Sequence, residues 1–175
     1  MQDHLEMLTD AAKRAQARLL AVLAGLSLEQ INALPVREFA PSVKSVGWLV
    51  WHTAREQDLQ IADLAGREPL WTAQGWNKRF GFDLPDDTQD WRHTPQEAAK
   101  VVIRDEAVLT GYLDTATQAV VDYLRQPDSA SLAEIIDRNW NPPVTRAQRL
   151  VSIIDDAAMH SGQAVYARRL MGLAD

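Results

Sequence analysis

The sequence contains no cysteine. That absence excludes disulfides, thiolate metal sites and a cysteine nucleophile, so any metal is held by nitrogen and oxygen and any thiol chemistry uses a thiol from elsewhere. There is no uninterrupted apolar run near the roughly 20 residues that a membrane span needs, although 46% of the residues are hydrophobic. The opening stretch MQDHLEMLTDAAKRAQ mixes acids and bases and lacks the basic end and apolar block of a secretory signal. A cytoplasmic protein without membrane contact is expected. Cations are also scarce: 18 Lys and Arg face 24 Asp and Glu, giving a formal net charge of -6, and no basic stripe with interleaved aromatics occurs. Phosphate backbones are repelled on average, so nucleic acid is not an expected partner.

Strand-like alternation, internal repeats and low-complexity segments are missing too, and what remains is helical. A length of 175 residues fits one domain, 1–175. Leu5, Leu8, Ala12, Ala15, Leu19, Val22 and Leu23 recur at helical spacing and predict a first helix over Asp3–Ala24. SLEQ at Ser27–Gln30 is a capping box for a short turn, and a connector follows at Pro35–Pro41. A second helix should run from Ser42 or Ser45 to Ala65 and stop at Gly66. The stretch Arg67–His93 has no period but holds Trp71, Trp76 and Trp91, which predicts a long ordered loop with a role. TPQE at Thr94–Glu97 starts a third helix expected to reach about Arg125, interrupted only at Gly111. SLAE at Ser131–Glu134 suggests a short helix, and a fourth long helix is expected from Thr145 to Met171, stopped by Gly172. Four long amphipathic helices of similar length make an all-α four-helix bundle.

Asp156 and His160 lie four residues apart in DDAAMHSGQAVYARRL and so share one helical face, along a stripe with Ile153, Ala164 and Ala167 that is otherwise apolar or small. An isolated pair of this kind is an ordinary surface hydrogen bond; the stripe weakens that reading and admits two ligands in need of a third. His52, in SVGWLVWHTAREQD, shares its face with Trp48, Leu49 and Leu59. Alone it reads as a satisfied core histidine. Bundles, however, build metal sites from facing helices, and His52, Asp156 and His160 together supply two imidazoles and a carboxylate with a coordination position left open. Glu56, one turn beyond His52, is a candidate fourth ligand or base, the plainer expectation being a pair with Arg55 or another surface cation.

These residues carry a resemblance. WLVWHTAREQD, the loop LWTAQGWNKRFGF and DAAMHSGQAVYARRL resemble the DinB-like superfamily of metal-binding four-helix bundles, close to its thiol-dependent S-transferase and maleylpyruvate-isomerase-like branch. The resemblance implies that His52 and His160 are ligands and that Asp156 stands where the family shows His or Glu. It implies one divalent ion, zinc favoured and nickel possible, and a low-molecular-weight thiol as cosubstrate attacking a small electrophile. Trp71, Trp76 and Arg79 then either line the pocket mouth, with Arg79 pairing with a substrate carboxylate, or the tryptophans cap the core. A metal-dependent hydrolase using Glu56, or a non-enzymatic metal-binding bundle, are the alternatives. A homodimer is a further expectation, because Trp48 and Trp51, three residues apart, cannot both face one narrow seam.

Overall fold

The computed structural model describes residues 2–126 and 132–173. α1 spans Gln2–Leu23, and the Ser27–Gln30 capping box opens the short α2, Leu28–Asn32. α3, Val46–Ala65, begins where Ser45 Oγ accepts from the Trp48 N–H at 3.1 Å and ends at Gly66, whose φ of 61° supplies the left-handed turn that closes a helix. Two short helices, α4 (Leu70–Ala73) and α5 (Trp76–Phe80), and a 3-10 turn at Asp90–Arg92 order the expected loop. α6 covers Pro95–Ala98 and α7 Glu106–Leu124. A small antiparallel pair, β1 (Ile135–Asp137) and β2 (Val144–Thr145), precedes α8, Arg146–Leu170.

Four expectations are corrected. The third helix is not continuous: the Thr94 capping box opens only the single turn α6, and the chain then runs through Val101, Val102 and Ile103 outside any helix. Buried Val101 and Ile103 anchor this piece, and Asn32 takes the place of helical partners by accepting from the Ile103 N–H at 2.7 Å and donating to its carbonyl at 2.8 Å. Asp105 then caps α7 through the Ala107 N–H. Gly111 does not interrupt α7; a Cβ there would lie 3.1 Å from Trp76, so glycine makes room for an indole. Strands do occur, because β1 and β2 are tied to the start of α8 by Arg146–Glu134 (2.6 Å) and Arg149–Asp137 (3.0 Å). Residues 135–137 are strand where a short helix was expected, while its expected cap, Ser131, lies outside the described residues.

α1 and α3 each pack against both α7 and α8, so the ring runs α1, α8, α3, α7 with α1 and α3 on a diagonal. α3 is buried on nearly all sides, which is why no single apolar stripe marks it. Trp48 and Trp51 are both buried within the one chain, which removes the ground on which a second copy was expected. Two apolar clusters fill the bundle. The larger contains Trp48, Trp51, Trp71, Trp76 and Tyr112, and the smaller Ala12, Ile61, Val120 and Ile153. Between them lies a buried polar level: Thr117 Oγ1 donates to Gln57 at 2.8 Å, and Asp58 accepts from Tyr112 Oη at 3.0 Å and from the Leu70 and Trp71 N–H groups at 2.8 and 2.7 Å. Asp58 thereby fastens the 67–93 segment to α3. No helix among the described residues is long and apolar enough to cross a membrane.

Candidate metal centre

α3 and α8 pack side by side and bring His52 against Asp156 and His160. His52 Nε2 lies 3.8 Å from Asp156 Oδ1, His160 Nε2 lies 3.6 Å from the same oxygen, and the two imidazole centres are 4.5 Å apart. One ligand atom from each residue falls within 4.8 Å of the others. Adjacent donors around a tetrahedral zinc stand roughly 3.4 Å apart, so these separations fit a small divalent ion, and the donor set of two imidazoles and one carboxylate is that of borderline first-row ions. His160 Nδ1 is buried without a protein partner among the described residues, and Asp156 is one-quarter exposed at the outer side of the group.

His52 is held from behind. Its Nδ1 is 2.8 Å from Oδ2 of Asp90, a carboxylate 1% exposed that comes from the 3-10 turn. An ionised carboxylate only accepts, so Nδ1 carries the proton and Nε2 is left facing Asp156 and His160. This is the carboxylate–histidine arrangement that fixes the tautomer and orientation of a metal ligand. Trp48 stacks on the His52 ring, centres 4.5 Å apart and planes at 12°. Its indole N–H donates to His93 Nδ1 at 3.2 Å, so His93 Nε2 bears the proton and donates to Thr88 Oγ1 at 2.9 Å. Burial lowers the His93 pKa, in keeping with that neutral form.

Arg55 fixes the same segment. It is fully buried, donates to the carbonyls of Asp86 (2.7 Å) and Thr88 (3.2 Å), lies 3.8 Å from Asp90 Oδ1 and sits over the Trp71 ring at 5.0 Å. Glu56 therefore does not pair with Arg55, contrary to expectation; it accepts from Gln60 at 2.9 Å and forms a second close group with His52 and Asp90. Burial raises the Glu56 pKa, Asp90 adds to the rise, and the His52 charge offsets part of it, leaving the carboxyl at about 7. At His52, burial works to lower the pKa, but Asp156 and Asp90 outweigh it and hold the imidazole at about 9 in the absence of metal.

With this geometry, the comparisons decide the family. A family profile described as the DinB superfamily matches residues 11–164, a range that contains His52, Asp156 and His160. The chain belongs to the DinB superfamily. A crystal structure described as the conserved protein of locus from Enterococcus faecalis is 49% identical, covers 95% of each chain and superposes with a TM-score of 0.88. No curated protein matches.

Within this DinB superfamily member the three ligands expected from sequence converge, and Glu56 joins them from the His52 side. The other candidates divide. Trp71 is buried, yet its edge lines a cavity of about 330 Å³ that also touches Glu56 and Asp90. Trp76 packs on Tyr112 with ring centres 5.4 Å apart, and the exposed Arg79 lies over Trp76 at 4.4 Å; neither lines a pocket next to the centre. Asp90 and Arg55 are the residues that sequence reasoning missed. Asp90 sits 38 positions from its partner in an acid-rich loop, and nothing in the spacing separates it from Asp86 or Asp87.

Proposed function

We propose that this chain holds one divalent ion, zinc favoured and nickel the alternative, on His52, Asp156 and His160, and acts as a transferase or isomerase on a low-molecular-weight thiol and a small electrophile. The observation that carries the reading is the convergence of three ligand atoms from two facing helices, with His52 oriented by buried Asp90. Three protein ligands leave a position for a substrate atom, and an ion there supplies positive charge that lowers the pKa of a bound thiol or water. The chain's own groups do the rest. Asp90 and Trp48 hold the imidazole at one angle and keep water from its inner face, and Glu56, titrating near neutrality, accepts or returns a proton on the His52 side. The cysteine-free sequence supports a borrowed thiol.

The same Glu56 favours a second reading, a hydrolase in which it acts as base toward water. Cobalt-loaded protein separates the two. Titration with a small thiol should shift the ligand-field bands of the transferase, whereas bands that ignore every thiol but respond to hydroxide would leave the hydrolase. Elemental analysis accompanies it: about one ion per chain in the wild type and none in His160→Ala, because two remaining ligands hold the ion too weakly. Full metal content in His160→Ala would overturn the centre itself.

A further inference from the structure

A cavity of about 460 Å³ adjoins the centre on its other flank, between residues 42–44, Leu49 of α3 and the last turns of α8. Leu49 precedes His52 by one turn and Gln163 follows His160 by one turn, so the cavity lies beside both imidazoles along the two helices that carry them. Its walls are mostly apolar, with Val43, Leu49, Ala167 and Leu170, and no carboxylate is among them. Lys44 is its one cation. The ammonium is half-buried, donates to the His93 carbonyl at 3.2 Å and lies 5.2 Å from the centre of the Trp48 ring, whose own stacking on His52 puts it within about 10 Å of that imidazole. No carboxylate among the described residues stands within ion-pair distance of it; burial lowers its pKa, and the more distant Glu97 charge offsets part of that. A partly desolvated cation on a residue that lines an apolar cavity, in a chain of net charge -6, offers a site for an anion.

We infer that the small molecule reacting at the centre carries a carboxylate, which Lys44 binds, with its apolar chain running past Leu49 toward the open coordination position. This rests on the reading of the centre given above, and it deepens that reading by naming the substrate class. It also moves the anion-binding role from Arg79, which the sequence suggested, to a residue on the correct side of His52. Selectivity comes from the charge, because a neutral chain of equal length gains the same apolar contact but no charge-assisted hydrogen bond.

The test uses hexanoate and hexanol as probes, followed through the Trp48 indole N–H resonance of isotopically labelled protein. Hexanoate should shift that resonance and bind about tenfold more tightly than hexanol. Lys44→Met should abolish the preference and Lys44→Arg should keep it, both with unchanged metal content. A preference that survives in Lys44→Met, or a wild type that treats the two probes alike, would overturn the inference. A parallel titration of cobalt-loaded protein with 6-mercaptohexanoate and 6-mercaptohexanol keeps the two readings apart. If both thiols shift the bands equally, thiol binding stands and the role of Lys44 falls; if neither does while hexanoate still depends on Lys44, the carboxylate site stands and the thiol reading falls.

Discussion

At the scale of single residues, both ring nitrogens of His52 are committed, Nδ1 to Asp90 and Nε2 to the open side. Asp90→Asn replaces an anion by an amide that can no longer balance the imidazole, and metal affinity should fall by about 10- to 100-fold with the three ligands intact; a competition titration against a chromophoric chelator reads this. Asp156→Asn keeps size and removes charge from a proposed ligand, so it should weaken binding more than Asp156→Glu, whose longer carboxylate has room at a position one-quarter exposed. Equal affinities for Asp156→Asn and wild type would return Asp156 to a surface partner of His160. The role of Asp156 as candidate ligand was legible, since its spacing from His160 fixes a shared face. Asp90 was not, because a contact across 38 residues depends on how a loop closes.

At the scale of elements, legibility followed local chemistry. Ser27, Ser45, Thr94 and Thr145 all cap helices as their sequences indicate, and α1, α3 and α8 end within a few residues of expectation. The break between α6 and α7 escaped because its cause is tertiary: Asn32, on another element, satisfies the backbone of Ile103. The same junction constrains α3. A Cβ at Gly47 would lie 2.7 Å from Ile103 Cγ1, 3.0 Å from Ile31 Cγ2 and 3.1 Å from the Ile31 carbonyl oxygen. Alanine gains about 1 kcal/mol of helix propensity, but overpacking against a backbone atom costs about 1–3 kcal/mol. Gly47→Ala should therefore lower the urea midpoint of the metal-free protein. Gly162→Ala on α8, where a Cβ meets nothing within 4 Å, should raise it.

At the scale of the whole molecule, the proposed metal and protons would compete for one pocket of charge. In the metal-free protein the His52 pKa is raised from 6.5 to about 9, so the imidazole is charged at pH 7. A raised histidine stabilises the fold fully below its unfolded pKa of about 6.5 and loses that contribution as pH climbs through about 9. An ion must displace the Nε2 proton, so uptake at pH 7 should release about one proton per ion and apparent affinity should rise with pH up to about 9. Titration in weakly buffered indicator solution measures it, and uptake without proton release would show that His52 is neutral before metal arrives. The docking of the 67–93 segment has a different consequence, for what the orientation of His52 depends on. The candidate ligands sit on α3 and α8, whereas Asp90 reaches His52 from a loop held down through Arg55 and Asp58. The brace behind His52 is thus supplied by a segment that contributes no candidate ligand of its own, so a cut or substitution that frees this loop should weaken metal binding at the proposed centre while leaving His52, Asp156 and His160 on their helices.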